Sequence, residues 1–172
     1  MQEIDASTFH NRVDCGFTYT PVCRIQSIRM ALTIAAHKHW EVRQLIVQTV
    51  FLNARVQEKV YVKTTLGYGS VDVANGRHHV MKLHKSIYGL RQSPRNWFNT
   101  INDSLKDMRF ASNMSDPCVY TFDTSDTYSI LTLYVDDLLL LGGHTPVLKL
   151  KCKLIERFNI TDMGGASLVL RM

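Results

Sequence analysis

Apolar residues recur along this chain in two periods, and the switches between them lay out the elements. From Ser27 to about His39, the residues Ile28, Leu32 and Ala35/Ala36 fall on one side at helical spacing. That predicts a helix with Ser27 as its N-cap. Val42 to Val47 reads as a strand and Phe51 to Asn53 as a turn or short helix. Lys59 to Lys63, with its Val-Tyr-Val alternation, and His79 to Leu83 read as strands flanking a Gly/Asn-rich loop at 67–77. Pro94 opens an amphipathic helix, since a first helical position tolerates proline. Trp97, Phe98, Ile101, Leu105 and Met108 form its apolar stripe. Val119 to Phe122 is a strand, and Ile130 to Val135 and Leu138 to Leu141 are two more, joined at Asp136-Asp137. Pro146 to Phe158 is a further helix, with Val147, Leu150, Leu154 and Phe158 inward and Lys149, Lys153 and Arg157 outward. A short strand is expected near Leu168 to Leu170, while residues 1–20 follow neither period. The pattern predicts an α+β class, an antiparallel sheet with helices packed on one face.

Composition alters this picture little. At 172 residues, 45% hydrophobic and 20% charged, the chain is long enough for one core and too apolar for disorder. A net charge of +5 favours a polyanionic partner without identifying one. Cys15, Cys23, Cys118 and Cys152 are scattered, with no paired spacing for zinc and no disulfide framework, so reduced and mostly buried thiols are expected. The first residues carry no apolar signal segment. The longest apolar run, Ile130 to Gly143, is too short to span a bilayer and holds two aspartates. An intracellular protein, in cytoplasm or nucleus, with no membrane partner, is the expectation.

Those two aspartates need a reason. Burying an unpaired charge costs several kcal/mol or more, so such groups are usually paired or metal-bound. At a tight hairpin, adjacent side chains point to opposite faces, so one aspartate can hold a metal while the other stays nearer the rim. The plainer alternative is an exposed turn, where aspartate is common.

Context favours the first reading. Tyr134-Val135-Asp136-Asp137 matches the Tyr-x-Asp-Asp signature of reverse transcriptases. KSIYGLRQSPRNW over residues 85–97 and SDPCVY over residues 115–120 match blocks of the copia-type retrotransposon enzymes. PVCRIQSIR at 21–29, EKVY at 58–61 and FNITDMG at 158–164 fall in the same order. The chain thus resembles the reverse transcriptase (RNA-directed DNA polymerase) of copia-type retrotransposons, over about residues 17–172.

The resemblance implies a right-hand polymerase palm with partial fingers over residues 17–172, after a divergent segment at 1–16. Thumb and ribonuclease H regions would be lacking. It also implies two-metal nucleotidyl transfer with Mg²⁺ as cofactor, and RNA/DNA template–primer and deoxynucleotides as partners. Asp136 matches the catalytic, metal-binding aspartate and Asp137 its auxiliary neighbour. Phe51 matches the aromatic that closes the space of a ribose 2′-hydroxyl, although core packing alone would also explain it. Gln92, Ser93 and Pro94, in the loop from Gly89, match a nucleotide-supporting segment. Arg91 and Arg95 are candidates for phosphate contact, or are simply solvated.

One position departs from the pattern. The family writes Gln-Met/Leu-Asp-Val-Lys-x-Ala-Phe-Leu at its first catalytic strand, and this chain reads QLIVQTVFL over residues 44–52. Ile46 stands where the aspartate that bridges both metals belongs. An aliphatic side chain offers Mg²⁺ no oxygen. Gln48 for lysine and Ala54 for glycine are smaller changes. The resemblance therefore predicts a catalytically dead enzyme. The alternatives are a non-catalytic nucleic-acid-binding remnant and an unselected fragment of a decayed element.

Overall fold

The structure, a computed structural model, describes residues 19–63, 80–125 and 127–166. Helix α1 (Ile25–His37) leads into strand β1 (Glu41–Val47) and a 3-10 turn (Val50–Asn53). A short ribbon of β2 (Tyr61–Lys63) and β3 (Val80–Lys82) follows, then α2 (Ser93–Asp107) and β4 (Ala111–Ser112). The meander β5 (Val119–Thr124), β6 (Thr127–Tyr134) and β7 (Asp137–Gly142) precedes α3 (His144–Arg157) and β8 (Ile160–Gly165). The main sheet runs β4-β5-β6-β7-β1-β8 with all neighbours antiparallel, so β1 is inserted between β7 and β8.

Residues paired across strands share a face, which assigns the helices. Leu45, Leu138 and Leu133 lie in one row, and Tyr120, Leu131 and Leu140 in the next. All six are essentially sealed from solvent, each leucine contributing roughly 1.5–3 kcal/mol. On this face the Tyr120 hydroxyl donates to Asn102 Oδ1 of α2 (3.2 Å), and Lys151 of α3 donates to Asp162 of β8 (2.8 Å). Helices α2 and α3 therefore cover it, meeting where the rings of Trp97 and Phe158 pack edge to face at 5.4 Å. The other face carries Leu139, Leu141, Ile130 and Val119, which are buried as well. Helix α1 lies against β1 and β7 there, and Trp40 meets Tyr128 beside it. The expectation of helices on one face is corrected: the sheet has two helices on one side and one on the other. The sequence shows the reason, because Leu138 to Leu141 is apolar at every position and a strand of that kind needs cover on both sides.

A second correction concerns the start of α1. The helix begins at Ile25 with Arg24 as its N-cap residue, and Ser27 lies inside it. The cap comes from elsewhere in the chain. Asp116, at 5% exposure, accepts from the Arg24 amide (3.0 Å), the Ser27 hydroxyl (2.7 Å) and the Cys118 amide (3.1 Å). The Cys23 thiol points at the same carboxylate at 3.7 Å. Cys23 and Cys118 are buried and free, and burial first, then the Asp116 charge, pushes both thiols up to about 12. Cys152 is also free but exposed.

The remaining expectations fare unevenly. The stripe of α2 is as read, with Trp97, Ile101 and Leu105 buried and Phe98 and Met108 packed against the core. The inward and outward faces of α3 also agree. Strand β8 was not expected: its glycine-rich ITDMGG has no β-period, and β1 shapes it through a register shift between Arg43 and Leu45. The loop at 67–77, Cys15, the segment 1–16 and the strand near Leu168 to Leu170 lie outside the described residues. Among the described residues no helix is long and apolar enough to cross a membrane.

Burial alone would raise the Asp116 carboxyl, but the hydrogen bonds outweigh it and hold the group below the usual carboxylate range. A depressed pKa in the folded state contributes stability above the unfolded value near 3.9, and that increment is lost as pH falls through the folded value. Asp116→Ala should destabilise by about 2–4 kcal/mol in urea melts at neutral pH. On acidification below about pH 4 the parent should lose the part of this difference that rests on the ionised carboxylate, so that the gap between the two melts narrows.

Candidate active site

Strands β6 and β7 close on the pair Tyr134 and Asp137, leaving Val135 and Asp136 as a two-residue turn. Val135 has a left-handed φ of 55°. For a β-branched residue this costs on the order of 1–2 kcal/mol or more. Two bonds from outside the hairpin hold it. The indole N–H of Trp97 in α2 donates to the Val135 carbonyl (2.8 Å), and the Val47 amide at the end of β1 donates to the Asp136 carbonyl (2.9 Å). The turn is thus pinned to both the helix beneath it and the strand beside it.

Asp137 opens β7 and pairs directly with Ile46 of β1, so the two side chains share a face. Gln44, two residues earlier on that face, sends its amide toward Asp137 Oδ1 at 3.4 Å. Burial is the largest influence on the Asp137 carboxyl. With the neighbouring Asp136 charge, it outweighs the Gln44 bond and raises the pKa. Among the described residues neither aspartate has an ion pair.

Mg²⁺ takes octahedral oxygen coordination, and two closely spaced ions need carboxylates that bridge them. Here the donors are Asp136, Asp137 and the Gln44 amide, with Ile46 inserted among them. Among the described residues no group of three His, Cys, Asp or Glu is arranged to hold a metal. These residues do not fit a pair of divalent ions.

The remaining predicted residues lie on the 3-10 turn and on the segment that leads into α2. Thr49 takes a left-handed φ of 47°, and the Asn53 amide donates to the carbonyls of Gln48 (3.2 Å) and Val50 (3.3 Å). This tightens the 3-10 turn and seats Phe51, 9% exposed, edge-on against Tyr88 with centroids 4.6 Å apart. The Tyr88 phenol is raised by burial and then by the Asp136 charge. Gly89, at φ 91°, reverses the chain after Tyr88. Ser93 is fully buried and its hydroxyl donates to the Ile87 carbonyl (2.6 Å), so it holds the loop in shape. Gln92 is buried at the helix N-cap, and Pro94 lies in the first turn. Arg91 is exposed and Arg95 half-buried at the same helix end.

Three contributors escaped the sequence reading in this role. Gln44 was visible only as the residue two before Ile46, on the same strand face. Tyr88 lay inside the 85–97 block, and Trp97 was read as apolar stripe alone. Its indole N–H gives it a second task, since a buried tryptophan needs a partner for that donor.

Comparison with known proteins finds a matching family and several relatives. The family described as reverse transcriptase (RNA-dependent DNA polymerase) matches residues 6–172. The retrovirus-related Pol polyprotein from transposon TNT 1-94 of Nicotiana tabacum is 38% identical over 162 residues, 93% of this chain and 12% of that protein. Those from the Arabidopsis thaliana transposons RE2 and RE1 are each 31% identical over 151 residues, 87% of this chain and 10% of theirs. The chain therefore spans only about a tenth of the length of these relatives. No solved structure matches it.

A carboxyl whose pKa is raised on folding binds its proton more tightly in the native state, so stability falls as pH rises past the unfolded value near 3.9. Asp137→Asn removes that loss. The substitution should raise the thermal midpoint at pH 7 and leave it nearly unchanged at about pH 3, where both forms are neutral. Calorimetry at the two pH values checks this.

Proposed function

The chain belongs to the reverse transcriptase family, of copia transposon type, and from that premise we propose that residues 17–172 form a polymerase palm with partial fingers whose nucleotidyl-transfer site is dead. The ancestral reaction is RNA-directed DNA synthesis on a template–primer, with Mg²⁺ as the family's cofactor. Asp136 is the surviving metal ligand in this reading and Asp137 its auxiliary. Phe51, with Tyr88 against it, occupies the place where a deoxyribose would be told from a ribose. The loop to Gln92, Ser93 and Pro94 supports the nucleotide, and Arg91 and Arg95 face phosphates.

One observation carries the proposal: Ile46 lies directly opposite Asp137, where the metal-bridging carboxylate would stand. Without it, two cations would share only the adjacent pair Asp136 and Asp137. Burial, and then the charge of Asp136, already raises Asp137. The other groups described on that face, the Gln44 amide and the Thr161 hydroxyl opposite Ile46 on β8, are neutral and supply no second carboxylate.

Primer extension on an RNA template with Mg²⁺ or Mn²⁺ tests this directly. The parent chain should give no product above background, and Ile46→Asp should restore incorporation by about 100-fold or more over the parent. Extension by the parent equal to that of Ile46→Asp would overturn the assignment of position 46. Absence of product from both would place a further lesion elsewhere in the chain.

A further inference from the structure

Two cysteines from distant parts of the chain meet at the buried carboxylate of Asp116. Cys23 lies just before α1 and Cys118 just before β5. The Cys23 thiol points at Asp116 Oδ2 (3.7 Å), while Oδ1 of the same carboxylate accepts from the Cys118 amide (3.1 Å). A single carboxylate thus stands between the Cys23 sulfur and the Cys118 backbone, and Cys118 is among the charges that act on the Cys23 thiol. Both cysteines are free and buried. Asp116 has three other donors, the Arg24 and Cys118 amides and the Ser27 hydroxyl, so loss of the thiol hydrogen leaves it satisfied.

We propose that Cys23 and Cys118 form a redox latch, a reversible disulfide that ties the start of α1 to the start of β5. With oxidised glutathione as the oxidant, the Cys23 thiolate attacks one of its sulfurs and one glutathione leaves as a thiol. The Cys118 thiolate then attacks the Cys23 sulfur of the mixed disulfide, and the second glutathione leaves as a thiol. The protein loses two electrons and two protons, and glutathione gains both.

The nucleophile in each step is a thiolate. In the closed fold burial first, then the Asp116 charge, pushes both thiols up to about 12, so neither reacts at neutral pH. The gate is the start of α1. Its N-cap residue makes no side-chain cap bond, Val22, Arg24 and Ile25 are exposed there, and Asp116 holds it in place. When that end lifts, Cys23 leaves both its burial and the carboxylate, and its thiol returns toward the ordinary value near 8.5. Oxidation therefore captures the two cysteines through openings of α1 and then prevents further ones.

The latch uses no residue of the Asp136–Asp137 hairpin, so it goes beyond the catalytic reading and is independent of primer extension at position 46. The test incubates the full native chain with oxidised glutathione at about pH 8, near the ordinary thiol value, and maps disulfides by mass spectrometry after alkylation. The exposed Cys152 should take up glutathione first, and a Cys23–Cys118 cross-linked peptide should accumulate about tenfold more slowly or less. Urea below the unfolding transition should speed the bridge by making the opening more frequent. The bridge closes a long loop, so in Cys152→Ser, which carries no surface adduct, it should raise the thermal midpoint by roughly 5–10 °C until dithiothreitol reverses it. Adding Cys23→Ser or Cys118→Ser should abolish that rise. Absence of the cross-linked peptide after long incubation with Cys152 fully modified would overturn the proposal. So would pairing of either cysteine with Cys15 or Cys152 instead, or a bridged protein that melts no higher than the reduced one. The peptide map is made on the parent chain, so a serine variant that fails to fold leaves the decision intact.

Discussion

The antiparallel register of β1 against β7 is the constraint on which the site depends. It runs unbroken from Glu41 opposite Gly142 to Ile46 opposite Asp137. A slip of one residue would carry every side chain of β1 to the opposite face, exchanging the sealed Leu45 and Val47 for Gln44 and Ile46. Because β7 is leucine on both faces, it is this alternation in β1 that makes a slip costly. The hairpin turn, the Val47 amide bond to it and the proximity of position 46 to the aspartates all descend from this alignment. Position 46 is thus not free to find its partner by local adjustment.

Two partly or wholly buried carboxylates in this chain show how environment decides charge. Asp116 has three hydrogen-bond donors at 2.7–3.1 Å and a thiol besides, and its pKa goes down despite burial. Asp137 has one long bond from Gln44 and a like charge beside it, and its pKa goes up. Desolvation acts upward on both; the number and sign of the neighbours determine the outcome. Asp116 does structural work, joining the start of α1 to the start of β5. Asp137 has only the long Gln44 bond to offset its burial.

Much of this was legible beforehand. The helical stripes of α2 and α3, the strands β1, β5, β6 and β7 and the turn at Asp136-Asp137 follow from periodicity, because each buries one face or both over several residues. Family resemblance supplied Ile46 as a departure and Phe51 as a candidate. What escaped depends on contacts distant in sequence. Ser27 has the right chemistry for a cap, yet Asp116, 89 positions away, takes its hydroxyl. Strand β8 is shaped by β1 and not by its own glycine-rich sequence. The second task of Trp97 was invisible because an indole buried by its ring gives no hint of where its N–H points. The cover on both sheet faces could have been read from Leu138 to Leu141, but the shorter runs elsewhere pointed to a single covered face.

Isoleucine at position 46 also bears on how readily the chain folds without ions. Three acidic groups crowded at one hairpin repel one another until cations arrive, and proteins that keep such clusters accept a stability penalty for the sake of activity. Ile46 removes one of those charges and puts apolar surface beside Leu45 and Val47. A hairpin of this kind is easier to maintain without ions than one with an acid at position 46. On the reading proposed above, the residue that leaves the site without its bridging ligand also spares the fold that repulsion, and Ile46→Asp would trade the one for the other.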